Sequence, residues 1–111
     1  MNTNEKLALL DKLTYCHNRI SYAMACCNDK GQDTGELQKR LDSLDSEIDR
    51  LRSELDKDWI GDADGLKADF DHANAEIDIC INNIKMDVAI AQNIVKLLGY
   101  VDYVIKIASA L

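Results

Sequence analysis

The chain has 111 residues and a formal net charge of −7, with no proline, five glycines and 5% aromatic residues. This length suits a single domain, residues 1–111. The scarcity of turn-forming and aromatic residues disfavours a β-sandwich or β-barrel, and the 30% of charged residues are mixed with aliphatic ones as in long helices. We therefore predict an all-α fold. An acidic chain is repelled by nucleic acid and by anionic membranes, so we expect neither of them as a partner.

The first predicted helix covers residues 4–29 and has one broad apolar stripe. The apolar residues recur at spacings of three and four, as on one face of an amphipathic helix. They are Leu9, Leu10, Leu13, Cys16, Ile20, Ala23, Met24 and Cys27. The segment "NDKGQDTG" then ends the pattern, and Asp33 with Glu36 is predicted to form a capping box for the next helix.

The second predicted helix covers residues 34–57 and has a narrower apolar seam. Its leucines and isoleucines alternate at spacings of four and three among charged and polar residues. They are Leu37, Leu41, Leu44, Ile48, Leu51 and Leu55. Such a seam suits contact with one or two neighbouring helices.

The third predicted helix covers residues 63–110 and starts at Asp62 or Asp64, either of which can cap it. No glycine interrupts the apolar pattern between Leu66 and Gly99. We therefore predict one helix of roughly 70 Å, from the usual rise of 1.5 Å per residue.

Three architectures fit these helices. In the first, a helical hairpin, residues 34–57 lie against 63–84 and residues 4–29 lie against 86–110. The second is a compact three-helix bundle. The third, kept as the alternative, is a four-helix bundle with a break near Asn82–Asn83, although no glycine or proline supports that break.

Residues 88–111 are apolar on nearly all sides, with Lys96, Asp102 and Lys106 as their charged groups. Polar residues interrupt this segment too often for a membrane span. A large exposed apolar surface marks an interaction site. We therefore predict an interface with a second copy or a protein partner, formed by Ile90, Ile94, Leu97, Val101 and Val104.

Residues that could support catalysis or metal binding are sparse. The four cysteines lack C-x-x-C spacing, and the adjacent Cys26 and Cys27 would form a strained disulfide. Buried free thiols in a reducing compartment are the simpler prediction for Cys16, Cys27 and Cys80. His17 and His72 have no second histidine at a metal-binding spacing. We expect no metal, no cofactor and no catalytic residues, and hence not an enzyme.

No signal peptide precedes the first predicted helix, because the opening residues are polar and the first apolar run is short. We therefore expect a cytoplasmic protein, or one exported without a cleaved signal peptide.

The segment "KDWIGDADGLKADF", residues 57–70, holds the only tryptophan, followed by Ile60 and Gly61. Trp59-Ile60-Gly61 resembles the Trp-x-Gly turn of the small helical hairpins exported by type VII secretion systems. Ala63, two residues after the glycine, and the later aromatic Phe70 also fit that family. The resemblance implies that Trp59, Gly61 and Phe70 pack at a helix–helix turn.

The family's export signal is a tyrosine followed four residues later by an acidic residue. The corresponding positions after Tyr100 and Tyr103 are Val104 and Ile107. The resemblance therefore implies a non-catalytic interaction protein that pairs with itself or accompanies a larger effector, as companions of LXG toxins do.

Two readings of the function remain open at this point. The first is the secretion substrate or companion that the Trp-x-Gly turn implies. The alternative is a cytosolic helical-bundle binding protein, such as an immunity protein, a secretion chaperone or a phage-encoded inhibitor, whose acidic surface meets a basic partner. Trp59 would then only cap a core, because its large surface can seal the end of a bundle.

Overall fold

The computed structural model describes residues 1–111 as four α-helices without a β-strand. The helices are α1 (Thr3–Asp29), α2 (Gly35–Ser53), α3 (Ala63–Lys85) and α4 (Ile90–Ala110). The all-α prediction is confirmed. The four-helix bundle that was kept as the alternative is the architecture observed, and the single helix over residues 63–110 is wrong.

The bundle consists of two antiparallel hairpins, α1–α2 and α3–α4. Helix α1 packs against α2 and α3, and helix α4 packs against the same two, so α2 and α3 lie diagonally opposite each other. Side-chain contacts show that α1 runs parallel to α3 and α2 parallel to α4. They join Lys12 to Asp71 and Arg19 to Asp78 in the first pair, and Arg40 to Asp102 and Arg50 to Ala108 in the second.

The helix pairing predicted from the hairpin is therefore wrong. Residues 34–57 were expected against 63–84, but α2 packs on α4, and α1 packs on α3 instead of residues 86–110. The physical reason lies in the α2–α3 connection, residues 54–62, which crosses the end of the bundle beside the first turn of α1. This crossing starts α3 next to α1, and the reversal after α3 then brings α4 beside α2.

The core is one continuous cluster to which all four helices contribute. Most of the predicted stripe residues of α1 and α2 lie in it, whereas Met24, Leu41 and Leu55 are partly buried at its edge. All four cysteines are free and buried, as predicted for Cys16, Cys27 and Cys80. Cys26 is buried as well, although it lies beside the predicted stripe.

The chain reverses between α3 and α4 without a glycine. Asp87 and Ala89 adopt left-handed backbone conformations, with φ of 59° and 42°. The buried Asn93 side chain holds the turn, because its Nδ2 donates to the carbonyl oxygens of Val88 (3.0 Å) and Ala89 (3.1 Å). Its Oδ1 accepts from Asn83 Nδ2 at 3.2 Å.

These polar contacts explain why the prediction of a continuous helix fails. They offset the cost of two left-handed residues, which a sequence without glycine or proline gives no reason to expect. The alternative had placed the break near Asn82–Asn83, whereas α3 continues to Lys85.

The helix ends differ from the predicted ones in two places. Helix α2 ends at Ser53 instead of residue 57, and Asp33 accepts from the Gly35 amide without forming the predicted capping box with Glu36. Helix α3 is capped by Asp62, whose side chain accepts from the Gly65 amide at 3.0 Å.

Candidate functional site

Trp59 lies in the α2–α3 connection and seals one end of the bundle. Its side chain is only 4% exposed, and the indole N–H donates to the carbonyl oxygen of Glu54 at 3.0 Å. That carbonyl belongs to the C-cap residue of α2, where helical carbonyl groups lack partners. Phe70 is buried in the same core.

Gly61 lies two residues after Trp59 and has a φ of 118°, a backbone conformation that residues with a Cβ rarely adopt. A Cβ at this position would also lie 3.0 Å from Leu66 Cδ1. Both observations require glycine here, so Gly61 has a local structural role in the connection.

Lys6 completes this end of the bundle, and the sequence analysis did not single it out. The residue is 5% exposed, and its ammonium group donates to the carbonyl oxygens of Leu55 and Lys57. It also lies 5.8 Å from the centre of the Trp59 ring, which is within cation–π range. Its position three and four residues before Leu9 and Leu10 places it on the apolar stripe, a signal that could have identified it.

The interface residues predicted from the sequence divide into two groups. Leu97, Val101 and Val104 are fully buried in the core of the same chain, so the closed bundle does not present them to a partner. Ile90 and Ile94 are partly buried and pack against that core. Among the other apolar residues of 88–111, Leu98 and Ile105 are also partly buried, whereas Val88 and Val95 are exposed to solvent.

A groove lies between α3 and α4 and is lined by both apolar and polar side chains. Its volume is about 580 Å³. Its two walls follow helical spacings of three and four residues, and Asn83 with Asn93 closes one end. The lining residues are Asp69, His72, Glu76, Ile79, Cys80 and Asn83 on α3, and Asn93, Lys96, Gly99, Tyr100 and Tyr103 on α4.

Gly99 leaves the wall of this groove open near its middle. A Cβ built on Gly99 would meet no atom within 4 Å, so no neighbour in the chain requires its absence. Glycine inside a helix costs about 1 kcal/mol relative to alanine. On the groove walls, Ile79 is 52% exposed and Tyr103 is 43% exposed. Gly99 therefore lowers the stability of α4 at a position where the groove exposes apolar side chains to solvent.

Two titratable groups of the groove have raised pKa values. Tyr100 donates to Glu76 at 3.4 Å, and the negative charge of Glu76 raises the pKa of Tyr100. Burial raises the pKa of the Cys80 thiol at the base of the groove, which disfavours the thiolate form. Asp69 and Lys96 form no ion pair within the chain, and both are free to meet charges on a partner.

A second groove, of about 650 Å³, lies between α1 and α3 and is more polar. Lys12 forms an ion pair with Asp71 and Tyr15 donates to Asp78, whereas Asp11 and Lys67 form no ion pair within the chain. The hydrogen bond to Asp78 raises the pKa of Tyr15. Asn74 Oδ1 is the one buried side-chain atom without a hydrogen-bond partner. Because its lining is less apolar, this groove offers less apolar contact to a partner than the α3–α4 groove does.

The structure does not bring three His, Cys, Asp or Glu side chains together in a geometry that could hold a metal ion. None of the four helices has both the length and the apolar character that a membrane span requires. No protein-family model, curated protein or solved structure matches the chain. The fold and the groove define a small four-helix bundle with one apolar surface cleft, and the function is argued from that cleft.

Proposed function

We propose that the chain is a non-catalytic interaction protein that binds an amphipathic helix of a basic protein partner in the α3–α4 groove. The observation that carries this proposal is the open backbone at Gly99 in a groove that also exposes Tyr103 on α4 and Ile79 on α3. Glycine allows close approach to the backbone, and the exposed side chains supply apolar contact on binding.

The dimensions of the groove support a helical ligand. Its α3 wall extends from Asp69 to Asn83, and its α4 wall from Asn93 to Tyr103. At 1.5 Å per residue these walls are about 21 Å and 15 Å long. A helix of about three to four turns fits this length, and a ligand helix presents one apolar face at the same spacing as the groove walls.

The charge of the chain favours a basic ligand. The net charge is −7, and the α3 wall contributes Asp69 and Glu76. Such a field attracts a basic partner over distances of about 10 Å at moderate salt and speeds its association. This proposal corresponds to the immunity protein, chaperone or inhibitor class that the sequence analysis kept as its alternative.

The type VII companion is the second reading, and it rests on Trp59-Ile60-Gly61 together with Ala63 and Phe70. In this bundle those residues connect α2 and α3, which lie diagonally opposite each other. A two-helix hairpin needs direct packing between the helices on either side of its turn. The geometry therefore favours the groove-binding function over the hairpin of that family.

The proposal can be tested with two amphipathic helical peptides that share an apolar face but carry lysines or glutamates on the other. The ¹⁵N-labelled chain is titrated with each peptide and its amide resonances are followed. We expect the lysine peptide to shift the resonances of Ile79, Gly99 and Tyr103, and the glutamate peptide to shift them much less. Equal responses to both peptides, or shifts centred outside the α3–α4 groove, would contradict the proposal.

A pair of variants separates groove binding from general charge attraction. Gly99→Gln fills the groove with a side chain that favours helix, whereas Ala91→Gln adds the same side chain at an exposed position of α4 outside the groove. We expect Gly99→Gln to weaken binding of the lysine peptide at least tenfold, and Ala91→Gln to leave it within about twofold. Equal affinities of the two variants would rule out the groove as the binding site.

A further inference from the structure

We propose that two copies of this chain exchange α4 through a hinge at residues 86–89, where α3 and α4 straighten into one continuous helix. In the closed chain this hinge contains Asp87 and Ala89 in left-handed conformations. Asparagine and aspartate tolerate that conformation, but alanine has no polar side chain to compensate for the contact between its Cβ and the backbone. Straightening returns both residues to the right-handed helix.

The sequence on both sides of the hinge favours a continuous helix. No proline or glycine occurs between Leu66 and Gly99, and Val88 follows Ile84 by one helical turn on the same face. Val88 is exposed in the closed chain. Helix α4 also begins without a side-chain cap on Ala89 and without an acidic residue in its first turn. A continuous helix removes this poorly capped end and restores its backbone hydrogen bonds.

Exchange preserves the packing that stabilises the closed bundle. The buried face of α4, formed by Leu97, Val101, Val104 and Ala108, contacts the same surfaces when α2 and α3 come from a second copy. This is the usual basis of domain swapping, in which two copies reuse the contacts of the monomer. The balance between closed and exchanged forms is therefore set by the hinge and by protein concentration.

The closed hinge is held by a small number of contacts that exchange would break. They are the two hydrogen bonds of Asn93 to the carbonyl oxygens of Val88 and Ala89, and the ion pair of Lys30 with Asp87. These contacts favour the closed monomer in dilute solution. High concentration, or refolding from a partly unfolded state, favours the exchanged dimer because association then offsets their loss.

The test measures whether a dimer formed by refolding at millimolar concentration contains a straightened chain. One fluorophore pair is introduced at Ala68 and Lys106, which are exposed, and the labelled chain is refolded with excess unlabelled chain. In the closed monomer these positions lie at the same end of the antiparallel α3–α4 pair. In a continuous helix they lie about 57 Å apart, from the rise of 1.5 Å per residue. We expect efficient energy transfer in the monomer and little transfer in the dimer.

Two glycine variants test the role of the hinge. Ala89→Gly removes the strain of the left-handed backbone conformation at position 89, and it also destabilises a continuous helix at that point. Each variant chain should therefore favour the closed form about tenfold more strongly than the wild-type chain does. Because the exchanged dimer contains two hinges, its dissociation constant should rise roughly 100-fold. Ala75→Gly is the control, because Ala75 is exposed and helical in both forms. We expect it to change the dissociation constant by less than about threefold.

The proposal is overturned if the wild-type chain stays monomeric after refolding at millimolar concentration. It is also overturned if the isolated dimer keeps the energy transfer of the monomer, which would indicate association of closed bundles. Equal dimerisation of Ala89→Gly and Ala75→Gly would exclude the hinge as the cause. These outcomes are distinct from those of the peptide titration, which uses the dilute monomer.

Discussion

Trp59 and Lys6 close the end of the bundle at which the chain crosses from α2 to α3. The connection has carbonyl groups that no helix satisfies, and a buried carbonyl without a partner is costly. Trp59 provides one indole N–H and Lys6 provides an ammonium group that reaches two carbonyls. The apolar surface of Trp59 and the stem of Lys6 also exclude water from the core. One aromatic and one charged residue thus perform the same structural role.

Replacement of Trp59 tests how much its apolar surface contributes. Trp59→Ala is expected to lower the free energy of unfolding by about 3–5 kcal/mol, the usual cost of removing a large buried side chain. Trp59→Phe keeps an aromatic ring but loses the hydrogen bond to Glu54, and we expect a loss of about 1–2 kcal/mol. Urea unfolding followed by circular dichroism measures both. Equal losses would show that the N–H, and not the buried surface, dominates.

Lys6 is expected to matter more than lysines in exposed ion pairs. Lys6→Met keeps the length of the side chain but leaves the carbonyl groups of Leu55 and Lys57 without their donor, at a cost of about 1–3 kcal/mol. Lys12→Met is the control, because the Lys12–Asp71 pair lies at the surface and should contribute less than about 1 kcal/mol. Chemical unfolding of both variants is the measurement. A Lys6 loss no greater than the Lys12 loss would contradict the assigned role.

Cys16 predicts a loss of stability at alkaline pH. Burial, with a smaller contribution from the charge of Asp78, raises its pKa from 9.0 to about 12. The folded chain therefore keeps this proton where the unfolded chain loses it. The stabilisation is fully present below pH 9.0 and decreases as pH rises towards 12, by about 1.4 kcal/mol per pH unit at most.

The measurement is the free energy of unfolding across this pH range for the wild type and for Cys16→Ala. Cys27 and Cys80 have pKa values raised mainly by burial, so they contribute in the same direction in both chains. We expect the variant to show a shallower alkaline decline and a constant offset below pH 9.0. Parallel declines in the two proteins would show that Cys16 ionises as easily when folded as when unfolded.

At the scale of the helices, the apolar periodicity predicted the features that depend on one helix alone, such as which of its faces is buried. The stripes of α1 and α2 placed most buried residues correctly, because a helix of this pattern has only one face to bury. The position of the α3–α4 break was not predicted because it depends on a contact between side chains of two different helices, Asn83 and Asn93. Asn93 was read as a polar interruption of an apolar segment, and nothing in its position along the sequence shows that it pairs with Asn83.

The groove wall at Gly99 gives a prediction for α4 alone. Gly99→Ala adds a methyl group where no atom lies within 4 Å, so it should fit without displacement. Alanine also favours helix over glycine, and we expect the free energy of unfolding to increase by about 0.5–1 kcal/mol. Thermal or urea unfolding measures the change. A destabilised variant would mean that Gly99 is required by the fold itself and would remove the main support for groove binding.

At the scale of the whole molecule, the sequence predicted which residues are buried better than it predicted which helices they pack against. A stripe of leucines shows which face is buried, but many apolar faces are complementary to it. The diagonal connection between α2 and α3 depends on Lys6 reaching across the bundle end, and no periodic pattern encodes that contact. For the same reason Leu97, Val101 and Val104 were read as an interface: the sequence showed an apolar surface without showing what covers it.

The closed bundle and the extended hairpin differ in size, which gives a prediction for the intact chain in dilute solution. The bundle is 43 Å long with a radius of gyration of 14.3 Å for its Cα atoms. A hairpin of two 70 Å arms would have a radius of gyration of at least about 20 Å, from the length of its helices. Small-angle X-ray scattering should therefore give a maximum dimension set by the bundle, only slightly enlarged by side chains and hydration. Because Asn93 stabilises the turn between α3 and α4, Asn93→Ala should raise the fraction of larger particles as concentration increases. A dilute wild-type chain with the dimensions of the hairpin would show that α3 and α4 form one helix, as the apolar periodicity alone predicts.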